Sequence, residues 1–347
     1  MTQRSVAMYK ISVAGHICAD LTPELPAGIG MVPGQLVNVG RLKIRPGGCV
    51  VNTGGDLAAL GISVSTSGII GDDELGRIVL ASLVEQGITT TDLQVERDYS
   101  TSYSIVLEPP GMNRSFWHHV GASIRFDGTR VSVEGIDLLH LGYPPLLPSL
   151  LPSTAQPIVD LFNRARDSGA TTSLDMAVVD GDSPVGRVDW HGIFKRVLPL
   201  VDIFTPSLDD LQSALALPVV TDRSALSELA QSLIDDGVAI VMISTGEDGV
   251  LLRTGTSARF ASGGRVLASL GADWHDAEFW VPAVHVERIM TTNGAGDAAS
   301  AGMLFGLVSG YSPREAAELA VLVASAKIRG ESVADLAIPL PHETFAS

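Results

Sequence analysis

Gly294-Ala295-Gly296 immediately precedes Asp297, and a small-residue apolar segment follows to Val308, with Met303, Leu304, Leu307 and Val308 at helical spacing. The pattern predicts a turn that opens a helix. The first N–H groups of such a helix have no intrahelical partner and lie at the positive end of its dipole, so they can hold an anion such as a phosphoryl group. Asp297 would then sit in the first turn beside that anion. The same residues also suit an ordinary helix start, with Asn293 as N-cap and Asp297 complementing the dipole. What the other segments bring to this turn decides between the two.

Composition limits the choice. The 347-residue chain carries 39 acidic and 23 basic residues, a formal net charge of −16, and is 46% hydrophobic. That length suits a well-buried α/β protein, and the charge disfavours nucleic acid and anionic membranes, which attract basic faces. A phosphate ligand here must be held by backbone N–H groups, a few placed cations or Mg2+. Cys18 and Cys49 are the only cysteines. They give neither a disulfide framework nor metal-ligand spacing, and no signal peptide or membrane-length apolar run is read, so a cytoplasmic setting is expected.

Strands and helices alternate along the chain. Ile11–Gly15, Ser63–Ile70, Asp137–Gly142, Thr171–Asp175, Asp202–Phe204 and Ala239–Ser244 read as strands. Helices are expected from Cys49 to Leu60, over Leu75–Leu83, and over Thr154–Ser168, Trp190–Leu198, Leu208–Leu215, Ala225–Asp236 and Pro313–Arg329. This order predicts a mostly parallel sheet with helices on both faces. Two β-excursions interrupt it. Residues 21–46 hold strand-like Leu36–Val39 and Leu42–Ile44, and residues 100–121 hold a hairpin of Ser102–Glu108 and Arg114–His119 around Pro109–Asn113. Together they could form a lid. Residues 255–288 read as surface β or loop, with no function assigned.

In open α/β sheets, ligands bind beyond the carboxyl ends of the strands. Asp20, Asp175, Ser207, Thr245 and the Gly294–Asp297 turn all follow strands, which predicts one shared rim. His118 and His119 end a lid strand; alternation points one of them at the site, and His119 is taken as the substrate contact. Tyr143, His140 and Asp180–Asp182 read as structural.

The order of these segments resembles the ribokinase-like, or PfkB, family of carbohydrate kinases across nearly the whole chain. Gly15–Asp20 is similar to the family's opening Gly-to-Asp segment. Gly47-Gly48 with Asn52 resembles its first signature, and Gly68, Gly71, Asp73 and Gly76 a further recurring run. Asp202–Asp210 resembles its Asp–Thr-Pro-Asn-x-x-Glu run, Ser244–Gly249 its nucleotide turn, and Thr291–Asp297 its second signature.

The resemblance implies one ribokinase-like three-layer α/β/α domain over residues 1–347, with the lid inserted at 21–46 and 100–121. It implies ATP-dependent phosphorylation of a primary hydroxyl on a sugar or sugar-like molecule, with Asp297 as base and Gly294, Ala295 and Gly296 as anion hole. Asp20, Gly47, Gly48 and Asn52 would bind substrate, joined by His119 and Asp175. Ser207, Thr245, Gly246, Gly249, Thr292, Asn293 and Ser325 would bind nucleotide, and Asp210 would serve Mg2+. A homodimer through the lid is the implied assembly. A nucleoside kinase and a non-catalytic sugar- or nucleotide-binding regulator are the alternatives.

Two departures stand out. Thr291 replaces the acid that helps hold a monovalent cation in relatives, so the resemblance does not extend to potassium (K+) activation. Ser207 and Asp210 replace Asn and Glu, which leaves Mg2+ held largely by ATP and water.

Overall fold

The computed structural model describes residues 9–29, 32–110, 115–152, 154–218 and 222–341. In chain order it builds β1 (Lys10–Gly15), β2 (Cys18–Pro23), β3 (Leu42–Gly47), α1 (Cys49–Ala59), β4 (Ser63–Gly71), α2 (Glu74–Glu85) and β5 (Thr89–Glu96). Next come β6 (Tyr103–Leu107), β7 (Ser115–His119), β8 (Leu138–Gly142), α3 (Gln156–Asp167), β9 (Thr171–Asp175), α4 (Trp190–Val197), β10 (Ile203–Phe204) and α5 (Leu208–Leu215). The last part comprises α6 (Arg223–Asp235), β11 (Ile240–Ser244), β12 (Val250–Thr254), α7 (Ser257–Ala261), α8 (Arg265–Ala268), β13 (Glu278–Val281), α9 (Ala295–Val308) and α10 (Pro313–Arg329).

Nine strands form one sheet in the order β13-β12-β11-β10-β9-β8-β1-β4-β5, and four form a second, β3-β2-β6-β7. Pairing in the large sheet is parallel from β11 through β5 and antiparallel only at β12 and β13. Strand alternation sorts its side chains into two cores. Ile11, Val13, Ile240 and Met242 join the cluster beneath α1, α2, α9 and α10, while Ala14, Val241 and Ile243 join the one beneath α3, α4, α5 and α6. The result is a three-layer sandwich. Among the described residues no helix is long and apolar enough to cross a membrane.

The chain leaves β1 toward β4 on one side and reaches β8 on the other, so a crevice opens beyond the carboxyl ends of β1 and β8. Gly15 ends β1 at φ 130°, and a Cβ there would overlap the Gly142 carbonyl oxygen at the end of β8. Only glycine allows the two strand ends to lie that close.

Several expectations need correction. Leu36–Val39 forms no strand: Leu36 is 91% exposed and the segment has no ladder partner. Its place in the small sheet is taken by Cys18–Pro23, which pairs with β3 on one side and β6 on the other. Residues 255–288 are not merely surface, since β13 extends the large sheet and Trp274 is buried. Arg114, the expected start of the second hairpin strand, lies outside the described residues, and the observed strand begins at Ser115.

Candidate active site

Asp297 owes its position to α9. That helix is buried almost all round because its residues are small and apolar. A Cβ on Gly302 would stand 2.6 Å from the Leu319 carbonyl oxygen, so α10 packs backbone to backbone against it. α1 lies against its other side. Gly294 caps α9 in the left-handed region at φ 76°, which glycine adopts at little cost. Gly296 is exposed and a Cβ there would meet nothing within 4 Å, so the helix N-terminus opens to solvent just where Asp297 turns inward, only 1% exposed.

Three donors converge on that carboxylate. Asn52 Nδ2 lies 2.9 Å and the Tyr143 hydroxyl 2.6 Å from Oδ2, and Thr53 Oγ1 donates to Oδ1 at 3.1 Å. Asn52 and Thr53 come from α1, whose start is pinned by glycines. Gly48 has φ 83° and a Cβ on it would stand 2.6 Å from the His16 carbonyl oxygen; one on Gly47 would stand 2.5 Å from Asp20 Oδ2. Asn293, expected to contact nucleotide, donates to Asp20 Oδ2 at 2.7 Å. Asp20, Gly47, Gly48, Asn52, Asn293 and Gly294–Asp297 thus meet in one crevice.

Burial dominates the electrostatics. It raises the Asp297 pKa, against the pull of hydrogen bonds from Tyr143, Asn52 and Thr53. Asp175 lies at the end of β9, where burial, followed by the Asp297 and Asp210 charges, pushes it well above the carboxylate range. Its oxygens accept from the Met176 N–H at 2.8 Å and Ser300 Oγ at 3.3 Å. Asp210 is raised to about 6, chiefly by burial. The nearby cation is Lys327 of α10. Its Nζ lies 3.3 Å from Asp56 Oδ1, and its stem borders Gly294, where a Cβ would stand 3.3 Å from Cε.

The remaining sequence candidates are mostly held by local bonds. Ser207 and Asp210 form a reciprocal capping box at the start of α5, with the Ser207 N–H 2.8 Å from Asp210 Oδ2 and the Asp210 N–H 3.1 Å from Ser207 Oγ. Thr245 Oγ1 donates to the Gly249 carbonyl at 2.9 Å, closing a turn in which Gly246 (φ 65°) faces open space. Thr292 accepts from the Ala295 N–H at 3.3 Å. Ser325 Oγ donates back to the Leu322 carbonyl at 2.8 Å and accepts from Arg329 at 3.1 Å. Asp73 accepts from Thr101 Oγ1 at 2.6 Å and from its N–H at 2.7 Å, which ties the Gly68–Gly76 run to the root of the small sheet. Asp202 sits at the opposite end of β10, paired with Arg166 and Arg259.

Two side-chain assignments change. His119 is exposed, bonded to Ser100 Oγ at 3.0 Å and tilted on the Tyr103 ring. It is His118, on the other face of β7, that lies inward, with its ring 5.0 Å from that of His16. Tyr143, read as structural, is part of the site. Thr53, Ser300 and Lys327 also escaped sequence reasoning; the only available signals were Thr53 following Asn52 and the two residues between Asp297 and Ser300.

An anion fits this arrangement, because the open backbone at Gly296 and the Lys327 ammonium lie beside Asp297. Mg2+ fits only as a partner of phosphate and water. Among the described residues, no group of three or more His, Cys, Asp or Glu could hold a metal, and one Asp210 oxygen is already used by its cap.

The profile of the pfkB family carbohydrate kinases matches residues 8–339. The aminoimidazole riboside kinase of Salmonella typhimurium is 27% identical over 308 residues, covering 87% of this chain and 82% of that protein. The ATP-dependent 6-phosphofructokinase of Thermoanaerobacterium thermosaccharolyticum is 24% identical over 294 residues, 82% of this chain and 79% of that one. The fold is similar to that of the Arabidopsis thaliana ribokinase complexed with ribose and ATP, at TM-score 0.70 and 17% identity, covering 92% of this chain and 93% of that one. By profile, motif order and fold, the chain belongs to the pfkB family of carbohydrate kinases and is an ATP-using sugar or nucleoside kinase.

Proposed function

We propose that the chain transfers a phosphoryl group from ATP to a primary hydroxyl of a sugar or sugar-like acceptor, with Asp297 as general base and the N–H groups of Gly294, Ala295 and Gly296 as anion hole. The observation that carries this reading is the pairing of a buried carboxylate with an open helix N-terminus in one helical turn. Such a transfer is mostly positioning and charge neutralisation. The acceptor hydroxyl gives its proton to Asp297 as its oxygen attacks phosphorus in line and ADP leaves. General bases contribute roughly 10²–10⁴-fold to such steps, and the N–H groups stabilise charge on the transferring oxygens.

Asp20, Asn52 and the Gly47-Gly48 backbone orient the acceptor, with His118 rather than His119 on the lid side and Asp175 beneath. Ser207, Thr245, Gly246, Gly249, Thr292, Asn293 and Ser325 line the nucleotide side. Mg2+ neutralises phosphate charge when bound, and Asp210 is the carboxylate nearest that role. Residues 1–347 act as one domain in which the small sheet closes over the acceptor and excludes water. Leu42 and Ile44 on β3 and Trp117 on β7 leave apolar surface on that sheet, which supports a homodimer through it. The two free, buried cysteines suit a cytoplasmic setting.

Acceptor-dependent ADP release across sugars and nucleosides, with the product located by phosphorus NMR, tests the reading. The expected product is a phosphate ester on a primary hydroxyl. Tight binding of an acceptor with no ADP release from any of them would make the chain a binding protein and overturn it.

A further inference from the structure

We infer that Tyr143 is a positioning residue for the base: its phenolic hydroxyl orients the Asp297 carboxylate and keeps it ionised inside a buried site. The inference rests on the proposed role of Asp297. The hydroxyl lies 2.6 Å from Oδ2, the shortest of the three contacts to that carboxylate. The residue is held there against its backbone preference. It follows β8 directly with φ 65° and ψ 48°, in the left-handed region that a bulky side chain rarely adopts. Its N–H donates to the Asp175 carbonyl at 3.3 Å, Pro144 and Pro145 follow it, and its ring stacks on that of His16 with centroids 6.1 Å apart. With its backbone fixed and its ring stacked on His16, the residue aims its hydroxyl at Asp297.

Other ionisable groups around Asp297 are Asp175 on β9, Asp210 on α5, Cys49 and Asp56 on α1, Cys18 on β2 and Lys327 on α10. The Asp297 charge raises the pKa of three of these, Asp175, Asp210 and Asp56, while the Lys327 ammonium lowers that of Asp297. Burial raises Asp297, and the Tyr143 hydrogen bond is the leading influence that lowers it. Burial keeps the phenol protonated, so it remains a donor.

The test is Tyr143→Phe. It keeps the ring stack and removes one hydroxyl. Losing a donor to the ionised form raises the carboxyl pKa, so the acid limb of the kcat/KM profile should move to higher pH by about one unit. That is roughly a tenfold loss on the limb, shrinking to little above it. KM for ATP and the melting temperature should stay near wild type. Infrared difference spectra of the Asp297 carboxyl band, identified by its absence in Asp297→Asn, should show the same upward shift with no turnover required. An unmoved band or an unmoved limb would overturn the role of Tyr143 while leaving the kinase reading intact. A band shifted in Tyr143→Phe, with no transfer by the wild type, would overturn the kinase reading alone.

Discussion

A carboxylate buried without a cation partner is costly, and Asp297 is kept usable by neutral donors on one side and a nearby ammonium on the other. That ammonium belongs to Lys327. Its Nζ is tied to Asp56 at 3.3 Å while its stem lies against Gly294, which puts a positive charge beside the proposed anion hole, where Thr291 supplies no carboxylate. Lys327→Met should lower kcat by about 10²-fold, the usual scale for one electrostatic donor at a developing charge, with a smaller effect on acceptor KM. Steady-state kinetics with and without added K+ measures this, and an unchanged kcat would remove Lys327 from the site.

The glycines and acids of the site were legible in sequence because their types are informative. Only a glycine tolerates φ 83° at position 48, and a Gly-Ala-Gly before an acid is uncommon. Tyr143 and Thr53 were not legible. Their partner lies 154 and 244 residues away, and tyrosine and threonine have many bland uses.

At the scale of elements, α5 shows how a local motif can carry a cost. Its capping box uses Asp210, whose folded pKa of about 6 lies above the ordinary value of 3.8 because burial disfavours the charge. The folded chain thus holds this proton more tightly than the unfolded chain. The associated stability is full below the unfolded pKa and is lost as pH rises through about 6. Asp210→Asn retains an acceptor for the Ser207 N–H. It should gain up to about 3 kcal/mol over wild type at pH 8 and little at pH 4. Urea titrations at the two pH values measure it, and a variant less stable at pH 8 would contradict the sign.

The long central strands and the final helix, Pro313–Arg329, were readable because their patterns are strong. β5, a mixed-polarity edge strand, and the late pair β12 and β13 were not, since an edge strand need not alternate cleanly and pairing across a gap such as Arg253 to Glu278 leaves no local trace. The supposed strand at Leu36–Val39 failed for the converse reason: apolar residues alone do not supply a partner.

For the whole molecule, the order of segments specified the three-layer sandwich and the crevice between β1 and β8, while the small sheet's true partners depended on a strand hidden in Cys18–Pro23. That sheet is also the proposed dimer face. Leu21, Ile44, Ile105 and Trp117 share one face by strand register, and Ile44 and Trp117 remain 39% and 46% exposed. Trp117→Glu should convert a dimer to monomer in sedimentation velocity; a wild type that sediments as a monomer would contradict the lid dimer. The central claim is that Asp297 takes the acceptor's proton in a phosphoryl transfer. Its most direct measurement is single-turnover transfer from ATP in wild type and Asp297→Asn, with acceptor and nucleotide binding followed separately by calorimetry. Transfer should be at least about 10²-fold slower in the variant, with both affinities largely kept. Transfer at the wild-type rate by Asp297→Asn would contradict it.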